Sequence, residues 1–256
     1  MPNRDKALPG QGHEMAPPEG IHPFLEARGF AYDILKCVFG QAPTRKFMKL
    51  LIEGDIVQAF PFADSNAVIR QAIDRIGKYL EQPDILSRKN CERLHWDYTR
   101  MFIGPGKVPA PPWESIYRDV EHLHFSEETL EVREAYRKYN LIPKDFGHEP
   151  DDHIGLELDF LHKLCEMAKE KAESADEEAL AEILRDQQAF LDEHLLKWVS
   201  DWTRDVDSSA ETDFYRGMAQ LLEAYLHFDR ETIGELLDAP RQKPAESSRR
   251  RSRVEG

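Results

Sequence analysis

Two short stretches of this 256-residue chain carry residue types at spacings that chemistry can use. The first is His148-Glu-Pro-Asp-Asp-His153, three carboxylates and two imidazoles just ahead of an apolar stripe that begins at Ile154. Pro150 suits the first turn of a helix, and Asp151 or Asp152 at a helix start is stabilised by the positive end of the macrodipole. On a helix, His153, Glu157, Phe160 and Leu164 share one face. Imidazoles and carboxylates bind metals, so His148, His153 and Glu157, with His162 beyond them, form a candidate ligand set for a metal-dependent all-helical enzyme. That set is kept as the alternative function. His162 falls on the other side of the helix, and His/Glu pairs four apart are frequent by chance.

The second stretch is a loop, Gly104-Pro-Gly-Lys-Val-Pro-Ala-Pro-Pro-Trp113, with four of the chain's 16 prolines inside eight residues. It follows the aromatic-rich helix His95–Phe102 and precedes Trp113-Glu-Ser-Ile-Tyr117. Proline fixes φ, so such a loop holds neighbouring rings in place at small entropic cost. Trp96, Tyr98, Phe102, Trp113 and Tyr117 then surround one rigid crossing. Rings in this arrangement build either a core corner or the wall of a groove for an apolar peptide.

The elements that must position these residues are helices. Ile69, Ile73, Ile76 and Leu80 are spaced four, three and four apart, with Asp64 or Ser65 as the expected N-cap. Ile154, Leu158, Leu161, Cys165 and Ala168 make a second stripe. Leu180, Leu184, Leu191, Leu195, Trp198 and Trp202 make a third, interrupted by Gln187, and Phe214, Met218, Leu221 and Tyr225 make a fourth. No segment alternates with period two, so the fold class is all-α. Breaks fall at Pro43, Phe60-Pro61, Pro83, Gly104 to Pro112, Asn140 to Pro143 and Gly147 to Pro150. They divide the chain into about nine to eleven helices, with no repeat of solenoid length. A joint near 140–150 separates a larger N-terminal from a smaller C-terminal helical unit.

Residues 1–20 hold four prolines and three glycines and almost no aliphatic side chains, and read as a disordered extension. The helical body spans 21–240. Residues 241–256 form a basic tail with six basic and two acidic residues, read as disordered. The whole chain carries a net charge of −14, so the body is more acidic still, which argues against nucleic acid as the partner. With 41% hydrophobic residues a sizeable core is within reach. No apolar run has the length of a membrane span, and the N-terminus lacks the apolar region of a secretory signal, so a cytoplasmic protein without an integral membrane segment is expected. Cys37, Cys91 and Cys165 are odd in number and widely spaced, which fits small buried apolar residues rather than disulfides or a zinc site. Phosphate loops, nucleophile elbows, zincin helices and dinucleotide fingerprints are all missing, and no cofactor is called for.

Taken together, Y-T-R-M-F-I-G-P-G, then P-A-P-P-W-E-S-I-Y, and E-P-D-D-H some forty residues later resemble the TorD/DmsD family of redox-enzyme maturation chaperones. In that family a Y-x-R-L-F-x-G-P stretch, a P-W-x-S-V-Y stretch and an E-P-x-D-H motif occur in this order. The resemblance covers roughly residues 25 to 237, with Met101 in place of the usual Leu and Glu114 where a small residue is common. It implies an all-helical cytoplasmic chaperone, not an enzyme. Its partner is the catalytic subunit of a molybdoenzyme of the DMSO reductase type, held by its twin-arginine leader until the cofactor is inserted. By this resemblance Met101, Phe102, Pro112, Trp113 and Tyr117, with Tyr98 beside them, match positions near the leader-binding surface. Pro150, Asp152 and His153 match its other half, with Glu149 and Asp151 alongside. The rings are expected to bury the leader's apolar stretch while Asp152 and nearby acids pair with its arginines. Either a monomer or a domain-exchanged dimer is compatible with a hinge at 140–150.

Overall fold

The computed structural model describes residues 20–118, 127–142 and 149–239. The expected terminal extensions lie outside the described residues, apart from Gly20, and so does much of the expected joint, 143–148. In chain order the helices are α1 (Ile21–Phe39), α2 (Arg45–Glu53), α3 (Ala67–Leu80), α4 (Arg88–Tyr98), α5 (Glu114–Arg118), α6 (Glu127–Lys138), α7 (Ile154–Glu173), α8 (Glu177–Phe190), α9 (Leu196–Ser209) and α10 (Asp213–Asp238). Two π-helical turns, Thr99–Ile103 after α4 and Leu191–Leu195 between α8 and α9, complete the set. Among the described residues the structure is all-α, as the periodicity requires.

The four stripes are the inner faces of these helices. Ile69, Ile73, Ile76 and Leu80 are buried on α3, and the whole α7 stripe from Ile154 to Ala168 is closed to solvent. Phe214, Met218, Leu221 and Tyr225 are buried on α10. The third stripe keeps facing the core from Leu184 to Trp202 across the second π turn, whose extra residue resets the phase; Leu180 is only half-buried. α3 begins later than Asp64 or Ser65. Phe62 adopts a left-handed φ of 66° and turns the chain there, so Asn66 becomes the N-cap, accepting from Val68 N–H at 2.9 Å and Ile69 N–H at 3.2 Å.

α1 runs along α7 and α3 along α10, so helices from both sides of the expected joint share one core. At the first contact the backbones nearly touch. A Cβ on Gly155, in the first turn of α7, would come within 2.5 Å of Gly40 Cα just beyond α1. Only glycine permits that approach, and it sets the start of α7 against the end of α1. Deep between α1 and α10, Arg28 binds both Asp229 oxygens at 2.6 and 3.0 Å, and Tyr32 donates its hydroxyl to the same carboxylate at 2.6 Å. Of the cysteines, Cys165 is buried, its thiol pushed up to about 11 by burial, whereas Cys37 and Cys91 are half-buried and not the core residues expected. Among the described residues no helix is long and apolar enough to cross a membrane.

Candidate functional site

After Tyr98 the backbone of α4 widens into the π turn Thr99–Ile103. Tyr98, Met101 and Phe102 all face inward from it. The Tyr98 hydroxyl donates to Phe39 O at 3.0 Å, and Phe102 stacks on Trp202 with centroids 5.7 Å apart. Gly104 ends the turn at a φ of 105°, a conformation that suits glycine, and its N–H closes on Thr99 O at 2.9 Å. Trp96, expected with these rings, instead points outward and is 64% exposed.

The proline loop is fastened to the core through Ala110. Its N–H donates to Met101 O at 3.1 Å, and its carbonyl accepts from Trp202 Nε1 at 3.3 Å. Past Pro111 the chain meets the second motif side by side. Ile154 N–H donates to Pro112 O at 2.9 Å, Glu114 N–H donates to Asp152 O at 3.1 Å, and Trp113 and His153 pair between them as an antiparallel bridge. Their rings meet edge to face with centroids 6.0 Å apart. Trp113 Nε1 also donates to Glu149 Oε1 at 2.7 Å. Two segments some forty residues apart thus form one knot.

Within the knot the acids serve as braces. Asp152 is closed to solvent; one oxygen accepts from Ser115 N–H at 2.9 Å, capping α5, and the other accepts from the Thr129 hydroxyl on α6 at 3.0 Å. Asp151 is also buried, ion-paired with Arg133, and its carbonyl accepts from the Tyr136 hydroxyl at 2.9 Å. The expectation that Asp152 meets a partner's arginines therefore does not fit its geometry: a carboxylate enclosed by two donors cannot reach a docking surface. His153 is the N-cap of α7, its Nδ1 accepting from Gly155 N–H at 3.0 Å. Burial pushes its imidazole down to about 4 against the opposing pull of Asp152, which keeps Nδ1 an acceptor at neutral pH.

Among the described residues the metal ligand set is not assembled. His148 lies outside the described residues, His153 Nδ1 is used by its own helix, and the His162 ring reaches across to Gly29 O at 3.0 Å on α1. Among the described residues no group of three His, Cys, Asp or Glu side chains is arranged to hold a metal ion.

The eleven candidate residues therefore separate into two layers. Tyr98, Met101, Phe102, Pro112, Asp151, Asp152 and His153 are buried and hold the knot together. Trp113, Tyr117, Glu149 and Pro150 are partly exposed above them. Tyr117 lies flat on Trp198, centroids 5.6 Å apart, and donates its hydroxyl to Asp205 of α9 at 3.0 Å; burial and that carboxylate push its phenol up. Beneath the knot is a cluster that motif reading passes over. Glu114 is fully buried, ion-paired with Arg118 and taking His194 Nδ1 at 3.0 Å, with Glu157 and Trp198 close by. One signal for it is present in the sequence: Glu157 is an acid within the apolar stripe Ile154, Leu158, Leu161.

Comparison with known proteins bears on this knot directly. A family model described as nitrate reductase delta subunit matches residues 63–204, a span that contains both of its segments. The chaperone protein TorD of Aliivibrio salmonicida is 25% identical over 210 residues, covering 82% of this chain and 95% of that protein. TorD of Aliivibrio fischeri is 32% identical over 170 residues, covering 66% of this chain and 78% of that protein. A Haemophilus influenzae protein named probable Tat proofreading chaperone DmsD is 30% identical over 124 residues, covering 48% and 54%. These relatives are named as chaperones, not catalysts, and the chain belongs to the nitrate reductase delta subunit family, as one of the TorD/DmsD redox-enzyme maturation chaperones that serve molybdoenzymes.

Proposed function

We propose that this chain acts in the cytoplasm, binding the twin-arginine leader of a DMSO-reductase-type catalytic subunit and delaying its export until the molybdenum cofactor is in place. The observation that carries this reading is the knot itself, which brings the two motif segments together and presents Trp113 and Tyr117 partly exposed four residues apart. The Haemophilus relative's name, a Tat proofreading chaperone, supports the same reading.

In this reading the outer layer meets the leader and the inner layer fixes its shape. The exposed parts of the Trp113 and Tyr117 rings and Pro150 cover the leader's apolar stretch. Glu149 beside Trp113 and Asp205 beside Tyr117 put carboxylates on both flanks of the rings, where the paired arginines meet them. Burying one large side chain contributes about 1.5 to 3 kcal/mol and an exposed ion pair about 0 to 1 kcal/mol. Ring contacts therefore set affinity, and charge sets orientation and association rate. The test is a titration of a synthetic leader peptide against the Trp113→Ala variant. The expected outcome is a dissociation constant raised about tenfold to a hundredfold with the fold retained. An unchanged constant in a folded variant would place the leader elsewhere.

A further inference from the structure

The buried cluster below Trp113 has an unusual composition. Glu157 is closed to solvent, and among the described residues neither of its carboxyl oxygens completes a hydrogen bond of normal geometry. Among the described residues the Ser115 hydroxyl, buried in the same region, is without a partner. The Trp198 indole N–H makes no full hydrogen bond but lies near enough to Glu157 to favour its ionised form, an effect smaller than those of burial, Glu114 and Asp152. The nearest charges are negative: Glu114 on α5 and Asp152 in the second motif. The basic side chains of the cluster, Arg118 and His194, are directed at Glu114 and not at Glu157. Tyr136 on α6 faces Glu157 as a neutral phenol, and neutral His153 precedes it by one turn. An ionised carboxylate stranded among these groups would be strongly destabilising, whereas a protonated one has an O–H to offer Glu114.

We propose that Glu157 and Glu114 form a proton site beneath Trp113, with the proton carried on Glu157, and that releasing this proton loosens the start of α5 and the motif segment bonded to it. The path is short. Glu114 and Ser115 donate their N–H groups to Asp152, so repulsion that drives Glu114 from Glu157 acts on the bonds that close the knot. The consequence for leader binding rests on the reading proposed above; the proton site does not.

Burial, reinforced by the charges of Glu114 and Asp152, raises the Glu157 carboxyl well above its ordinary 4.5. The folded chain then keeps a proton that the unfolded chain has already released. Stability from this group is greatest below the ordinary value and falls as pH rises towards the shifted one. His153 has the opposite sign, favouring the fold as pH rises from about 4 to about 6.5, and it is the same in both proteins compared below.

The test compares the full chain with E157Q, a neutral side chain of similar size, by urea denaturation from about pH 5 to about pH 9. The wild-type folding constant is expected to fall relative to E157Q by about tenfold per pH unit until Glu157 ionises in the folded protein. Parallel curves would overturn the proposal. Infrared spectra of wild-type protein with labelled glutamate read the proton without a variant. A buried protonated carboxyl band at neutral pH supports the site, and its absence overturns it. Leader peptide titrated over the same range should lose affinity with rising pH in the wild type and not in E157Q. Equal pH dependence in both removes the coupling. Failure of either protein to bind leader at any pH overturns the leader reading and the coupling together, while denaturation and infrared still decide the proton site.

Discussion

Two buried charged clusters in this molecule are built on opposite plans. Between α1 and α10, Arg28 faces Asp229 with both carboxylate oxygens bonded and Tyr32 adding a third donor. Under the motif knot, Glu114, Glu157 and Asp152 bring three acids together, and among the described residues neither Glu157 oxygen completes a hydrogen bond of normal geometry. The first cluster is charge-balanced and ties two long helices. The second gathers acids with few opposing cations, and it lies beneath Trp113 of the knot. Unsatisfied buried groups lower stability, so their concentration at one site is a mark of function more than of folding.

The two clusters respond differently to damage. The largest expected loss is at the balanced one. Asp229→Ala strands a buried guanidinium and should cost about 3 to 5 kcal/mol, read from urea denaturation, with leader affinity per folded molecule unchanged. Asp152→Asn should cost about 1 to 3 kcal/mol, because an amide keeps one of the two acceptor roles towards Ser115 and Thr129. It should also weaken leader binding equally at low and high salt, since an enclosed brace is not screened; loss confined to low salt would return Asp152 to the docking surface. Smallest is Tyr98→Phe, which deletes the bond to Phe39 O and should cost about 0.5 to 1.5 kcal/mol in thermal denaturation, with no pH dependence of its own near neutrality.

Much of this architecture is readable from the sequence, for a definite reason. Period-3.6 stripes report which side of a helix is buried, and the residues from Ile154 to Ala168 and from Phe214 to Tyr225 are buried as their spacing requires. The ordered motifs likewise identify segments that come together. What spacing does not report is depth within a site. Asp152 and Glu149 look alike in a motif, yet one is enclosed and the other reaches the surface. Trp96 and Tyr98 are neighbours in an aromatic run, but two residues apart on a helix they face different ways, and only Tyr98 is inside. The Glu114–Glu157 pair depends on a tertiary crossing that no local pattern encodes; the sequence marks its two members separately, Glu157 as an acid in an apolar stripe and Glu114 as a large acid where the resembling family commonly has a small residue. Asn66 rather than Asp64 or Ser65 caps α3 because Phe62 turns the chain first, a left-handed residue that composition does not announce.

The double attachment of Ala110, to Met101 on one side and Trp202 on the other, carries a further consequence. A loop pinned at its centre behaves as a fixed ledge and not as a flap. Any segment that lies against it must do the adjusting, so the ordering entropy falls on the visitor. Selectivity among visitors then follows how readily each one takes the shape the ledge imposes.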